Sequence, residues 1–280
     1  TMHDMWPCTG ICHHARDCEK FQTRCEACFF LNSRGKDLST FVFDKKQAIY
    51  KDANMTFVGC SQWLANRARQ SRLLQNKTVL SIPNPIDMNI YHPVDQGQAR
   101  QSLGLPLGKK LLLFGALNVT DKRKGVDYLI AALQEIKNQD IELVVFGQVK
   151  EDIRNLFPVP IHPMGYLSDE SKIVELYNAV DVFITSSLEE NLPNTIMESM
   201  ACGTPCVGFE IGGIPEMIDH KINGYVANYM DADDLANGIQ WILEHKDWQV
   251  LSDACVKKVQ VNYAEEVVAK RYIELYKSII

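Results

Sequence analysis

Long hydrophobic runs are missing from this 280-residue sequence: none approaches the roughly 20 consecutive apolar residues that a membrane-spanning helix needs. No segment therefore reads as a transmembrane helix. The opening residues Thr1-Met2-His3-Asp4-Met5-Trp6 are followed by cysteines and show no basic start leading into an apolar core, so no secretory signal is read there. An excess of positive charge is missing too. Lys and Arg number 29 against 35 Asp and Glu, a formal charge of −6, which argues against non-specific nucleic-acid binding. No Gly-Lys-Ser/Thr of a phosphate loop occurs, so a P-loop NTPase is not supported. Internal repeats and low-complexity segments are also absent. With 46% hydrophobic and 23% charged residues the composition is that of an ordinary globular protein, and disorder, collagen and coiled coil are excluded.

What is present suggests about two domains, at roughly 150 residues per domain. The chain opens inside what reads as a motif, and a fragment lacking earlier strands is the expectation. Nine cysteines are unevenly spread: Cys8, Cys12, Cys18, Cys25 and Cys28 crowd the start, whereas Cys60, Cys202, Cys206 and Cys255 are scattered and read as small buried hydrophobes. Cys25-Glu26-Ala27-Cys28 has the two-residue gap that suits tetrahedral zinc. Cys12 and Cys18 are spaced more widely than a zinc ribbon prefers, and His13 or His14 could replace one of them. A structural zinc, packed free thiols and a disulfide all remain open for this cluster.

Along the chain, residues 36 to 52 are charged and helix-compatible, Thr56-Phe57-Val58-Gly59 reads as a strand, and Ser61 is a plausible helix N-cap. Thr78 to Ile82 is a second strand running into Pro83-Asn84-Pro85, which reads as a domain crossing. Apolar strands are then expected at Lys110–Gly115, Ile141–Gly147, Asp181–Thr185 and Pro205–Phe209, with helices at Val126–Lys137, Ser171–Ala179 and Thr195–Ala201. From Asp231 to Ile280 the pattern is helical throughout. Short apolar strands alternating with helices imply a parallel sheet covered on both faces, an α/β class. Ligands of such sheets bind beyond the carboxyl ends of the strands.

The unusual residues follow those strand ends. After Phe114 comes a loop from Gly115 to Gly125 containing Arg123 and Lys124, leading into a helix. Backbone N–H groups, a helix N-terminus and two cations suit a diphosphate, although a solvated basic turn would look the same. After Thr185, Glu190 precedes a helix that starts near Pro193-Asn194, and Glu198 lies one turn inside it. Carboxylates accept hydrogen bonds from vicinal hydroxyls, and first-turn N–H groups take an anion. A ligand with phosphate in the middle and hydroxyls at both ends is a nucleotide sugar; two surface or capping glutamates are the plainer alternative.

Glu190, Glu198, Ala201-Cys202-Gly203-Thr204-Pro205, Gly212-Gly213-Ile214-Pro215-Glu216 and Asn223-Gly224-Tyr225 occur in an order and spacing that resemble the donor half of retaining family 4 glycosyltransferases of the GT-B fold. The resemblance implies a complete Rossmann-like donor domain over residues 84–264, and a partial N-terminal Rossmann domain over 1–82 joined by a last helix at about 265–280. It assigns Glu198 to ribose hydroxyls and Glu190 to the transferred sugar. Gly115, Arg123, Lys124, Asn194 and Thr195 fall to the diphosphate, and Gly165-Tyr166-Leu167 to the base, where an ordinary turn is the alternative. Ala116 departs from the arginine that the family often has after the first glycine. The opening residues are similar to a subgroup that builds bacterial surface polysaccharides, in which His3 matches a histidine facing the donor, and in which Cys12, Cys18, Cys25 and Cys28 recur while Cys8 replaces a common aromatic.

The implied reaction moves a sugar from a nucleotide diphosphate donor to a glycan or lipid-linked acceptor with retention. It needs no metal for catalysis and takes place in the cytoplasm or at the inner face of the membrane, with peripheral membrane contact through the missing N-terminal part. A nucleotide-sugar-binding module without turnover, and an epimerase of the same fold, are the rival readings.

Overall fold

The computed structural model describes residues 1–118, 121–136, 140–148 and 155–279. The chain divides between Pro83 and Asn84 into two compact units, Thr1–Pro83 and Asn84–Ile280.

In the first unit, α1 (Leu38–Asp52) begins at a capping box: Asp37 accepts from the Ser39 and Thr40 amides, and the Thr40 hydroxyl accepts from the Asp37 amide. Then come β1 (Thr56–Gly59), α2 (Gln62–Gln70), capped by Ser61, and β2 (Thr78–Ser81). β1 and β2 pair in parallel with Thr56 opposite Thr78, the geometry of a βαβ crossover. Met2 extends this ribbon, its amide donating to Val58 O at 2.6 Å and its carbonyl accepting from the Cys60 amide at 3.2 Å.

The second unit holds α3 (Gln96–Ser102), β3 (Lys110–Asn118), α4 (Val126–Glu135), β4 (Ile141–Gln148), β5 (Ile161–Gly165), α5 (Glu170–Ala179), β6 (Val182–Thr185), α6 (Asn194–Ala201), β7 (Cys206–Phe209), α7 (Ile214–Met217), β8 (Gly224–Ala227), α8 (Ala232–Leu243), α9 (Trp248–Asn262) and α10 (Glu265–Ile279). Among the described residues its strands form one parallel sheet in the order β5-β4-β3-β6-β7-β8. This is the doubly wound order in which the chain reverses direction across the sheet between β3 and β6. Leu111, Leu112 and Leu113 of β3 are fully buried, as are Val182 and Ile184 of β6, because helices cover both faces.

A buried ion pair ties the base of the sheet. Arg100 of α3 places Nη2 2.8 Å from Asp181 Oδ2 and donates Nε–H to Ala179 O at 2.7 Å, and the same carboxylate accepts from the Leu111 amide at 2.7 Å.

Several boundaries differ from the sequence expectation. β3 runs past Gly115 to Asn118, because parallel pairing with β4 resumes at Asn118 opposite Gln148 after a register shift. The C-terminal stretch is three helices, broken at Glu244–Asp247 and at Tyr263-Ala264, where the Ala264 strand bridge to Ile86 interrupts helical bonding. The last helix, which the resemblance assigns to the acceptor side, groups with the second unit. Lys137 at the end of the expected helix and Val119-Thr120 of the basic loop lie outside the described residues.

Candidate donor site at the β3–β6 switch point

The strand order puts the loops after β3 and β6 side by side at the carboxyl edge, where doubly wound sheets bind ligands. The two loops are stitched together by the backbone. Leu188 N–H donates to Arg123 O at 2.7 Å, and the Ser186 hydroxyl donates to Lys124 O at 2.9 Å. Between them sits Gly125, at φ +64°, where a Cβ would come within 1.9 Å of Ser186 O. Only glycine fits that contact, so the glycine before α4 is a joint between loops.

On this joint stand the two predicted cations. Arg123 is turned back on its own loop, with Nη2 2.7 Å from Asp121 Oδ2, and it stays largely exposed. Lys124 crosses to the β6 loop and places Nζ 2.5 Å from Glu190 Oε1. The structure therefore joins two residues that the sequence separates by 66 positions. Glu190 is held from its other side by the Gly212-Gly213 turn. Gly212 has φ +58° and would push a Cβ to 2.0 Å from Glu190 O, while Gly213 N–H donates to Asn191 O at 2.6 Å.

Pro193 is the N-cap of α6, and no side chain caps the first turn. Asn194 is exposed and Thr195 half-buried, leaving first-turn N–H groups for an anion. One turn in, Glu198 accepts a hydrogen bond from the buried Tyr177 hydroxyl of α5 at 2.9 Å. Burial raises the Glu198 carboxyl above its ordinary pKa, Glu170 adds to the rise, and the Tyr177 hydrogen bond opposes it. Tyr91 is near enough for Glu198 and Glu170 to add to the burial that pushes its phenol up to about 12. Past the helix, Gly203 adopts φ +81° as the C-terminal stop, and the Thr204 hydroxyl donates to Tyr177 O at 2.7 Å, fixing the phenol that braces Glu198.

Other predicted residues fall differently. Gly115 lies inside β3 opposite Phe146, whose ring would come within 1.8 Å of an added Cβ. The close approach of that ring leaves room for glycine alone at this position. Gly165, at φ +67°, ends edge strand β5, followed by exposed Tyr166 and half-buried Leu167. These three occupy the carboxyl edge of the sheet, with β4 and β3 lying between them and β6.

His3 is an exposed residue of the first unit, next to the Met2 bridge. All nine cysteines are free thiols. Cys12 is hydrogen-bonded to Cys28, and burial together with Cys28, Cys25 and Cys18 pushes its thiol up to about 12. Cys25 Sγ accepts from the Gly10 amide at 3.2 Å. The four thiols are thus neighbours, yet among the described residues no three His, Cys, Asp or Glu side chains are gathered to hold a metal ion. The organising cation here is Lys46 of α1, which donates from Nζ to Trp6 O at 2.5 Å, Thr9 O at 3.0 Å and Gly10 O at 3.3 Å.

Sequence reasoning did not find Asp121, Tyr91 or Tyr177. No motif marks them, and only the fold brings Tyr177 from α5 to Glu198.

Fold and site together define a doubly wound α/β unit with an anion-ready switch point flanked by two carboxylates. Residues 108–245 match the family described as Glycosyl transferases group 1. Among curated relatives, N-acetyl-alpha-D-glucosaminyl L-malate synthase of Bacillus anthracis is 26% identical over 211 residues, covering 73% of this chain and 55% of its own length. Sucrose-phosphate synthase of Thermosynechococcus elongatus superposes with a TM-score of 0.73 at 24% identity over 93% of this chain and 65% of that one. HepE of Anabaena, solved in complex with UDP and glucose, gives 0.68 at 21% identity over 84% and 67%. The fold is GT-B. The chain spans about half the length of the curated relatives it matches.

Proposed function

We propose that this chain carries the donor site of a retaining, family 4-type glycosyltransferase that moves a sugar from a nucleotide diphosphate donor to a hydroxyl of a glycan or lipid-linked acceptor in cell-surface polysaccharide synthesis. The observation that carries the reading is the pair of carboxylates about the start of α6: Glu190 before it, on the Lys124 ammonium, and Glu198 inside it, on the Tyr177 hydroxyl. In this reading Glu198 binds the ribose hydroxyls, and Lys124, Arg123 and the first-turn N–H groups at Asn194 and Thr195 bind the diphosphate. Gly165, Tyr166 and Leu167 face the base, and Glu190 serves the transferred sugar.

Fixed positive groups would stabilise the departing diphosphate as its charge develops, the electrostatic effect that most often dominates enzymatic rate enhancement. Retention follows if the leaving phosphate takes the acceptor proton on the same face, and that route needs no catalytic metal. The test is incubation with UDP-, GDP- and ADP-sugars and candidate glycan acceptors. Nucleoside diphosphate release and an α-linked product from an α-linked donor support the reading. Tight donor binding with no turnover favours a binding module, and an isomerised donor favours an epimerase.

A further inference from the structure

Of the three cations in the β3 loop, Lys122, Arg123 and Lys124, the two read as diphosphate ligands are engaged by carboxylates, Arg123 by Asp121 in its own turn and Lys124 by Glu190 in the next loop. The second pair is the sheltered one: the Lys124 side chain is 34% exposed and that of Glu190 14%. It is therefore screened less than an open surface pair. The backbones on either side are pinned, at Lys124 O by the Ser186 hydroxyl and at Glu190 O by the close approach of Gly212. Only the side-chain ends have room to change partners. A diphosphate brought to the same ammonium would stand beside the Glu190 carboxylate, and like charges a few ångströms apart repel.

We propose that Glu190 and the donor's diphosphate hold Lys124 in turn: the diphosphate displaces the carboxylate seen on Lys124, and the freed carboxylate accepts the hydroxyls of the donor sugar. The proposal rests on the reading of this loop as the diphosphate site. Its consequence is a selectivity that a plain list of contacts would not give. A nucleoside diphosphate breaks the Lys124–Glu190 pair and offers Glu190 nothing in return, whereas a sugar nucleotide replaces the lost partner with hydroxyl donors. Glu190 thus biases the site toward the donor and against the by-product left after transfer.

The test is calorimetric titration of the whole chain with UDP, GDP and ADP and with their glucose conjugates. The proteins compared are the wild type, Glu190→Gln, Lys124→Ala, the double variant, and Glu189→Gln, which makes the same change in net charge next door. Thermal midpoints establish that each variant is folded. Glu190→Gln is expected to tighten the nucleoside diphosphate by roughly three- to tenfold, the range of a modest ion pair. The gain should vanish when Lys124 is already alanine, and the preference for the glucose conjugate over the bare diphosphate should fall. Glu190→Gln binding the diphosphate no better than wild type, with Lys124→Ala still weakening it, overturns the exchange and leaves the diphosphate site standing. Equal tightening by Glu189→Gln also overturns it, as a general charge effect. If folded wild type binds none of the three nucleoside diphosphates, the reading of the site fails and the exchange with it.

Discussion

Glu198 is pulled two ways. Burial and the neighbouring Glu170 favour its protonated form, and the Tyr177 hydroxyl favours the carboxylate. Burial dominates, so the group titrates above an ordinary glutamate. If the ionised form accepts the ribose hydroxyls, nucleoside affinity should fall as pH is lowered through that raised pKa, at a higher pH than for an exposed Glu near about 4.3. Free uridine, guanosine or adenosine is the right probe, since it carries no phosphate that titrates in the same window. Glu198→Gln should flatten the profile, and an unchanged pH dependence in that variant would remove Glu198 as its source.

Lys46 poses the opposite problem, a cation 6% exposed whose ammonium feeds three carbonyls. Lys46→Met should destabilise the first unit by roughly 3 kcal/mol or more, since each orphaned buried acceptor costs about 1–3 kcal/mol. Denaturant titration followed through Trp6, whose ring lies 3.5 Å from Nζ, reads this out.

At the scale of elements, the site depends on glycines that let loops touch. Gly212→Ala meets both a left-handed backbone and a carbonyl 2.0 Å from the new methyl. It should cost about 1–3 kcal/mol and also weaken donor binding, because the loop that must move carries Glu190. A lowered Tm with unchanged nucleotide affinity would show that the turn does not position Glu190. The buried Arg100–Asp181 pair is a purely structural counterpart: Asp181→Ala should cost roughly 3–5 kcal/mol by leaving the guanidinium unpaired.

Which elements were legible follows from their chemistry. β3, β4, β6 and β7 are buried on both faces and read as continuous apolar runs. β5 and β8 escaped notice. Ile161-His162-Pro163-Met164-Gly165 is a half-exposed edge carrying a proline, and Gly224–Ala227 is a four-residue edge opening on glycine. The carboxylates of the site were legible because Glu190 and Glu198 sit around one helix start. Their partners were not, since the Lys124 pairing and the Tyr177 brace arise from the strand order.

For the whole molecule, the division at Pro83-Asn84 separates a unit with a six-stranded sheet and its own core from one built around a two-stranded ribbon. Residues 84–280 expressed alone should fold cooperatively and bind nucleoside diphosphate as the full chain does, which circular dichroism and titration can check. Among the described residues no helix is long and apolar enough to cross a membrane, and the sequence likewise showed no such run. The central claim is that the β3–β6 switch point is a nucleotide-donor site with Glu198 on the ribose. The most direct measurement is calorimetric titration of UDP, GDP and ADP against wild type and Glu198→Ala at neutral pH. The account predicts binding of at least one by the wild type and a loss of about 1.5–3 kcal/mol in the variant, the value of a charged hydrogen bond. Equal affinities in two folded proteins would contradict it.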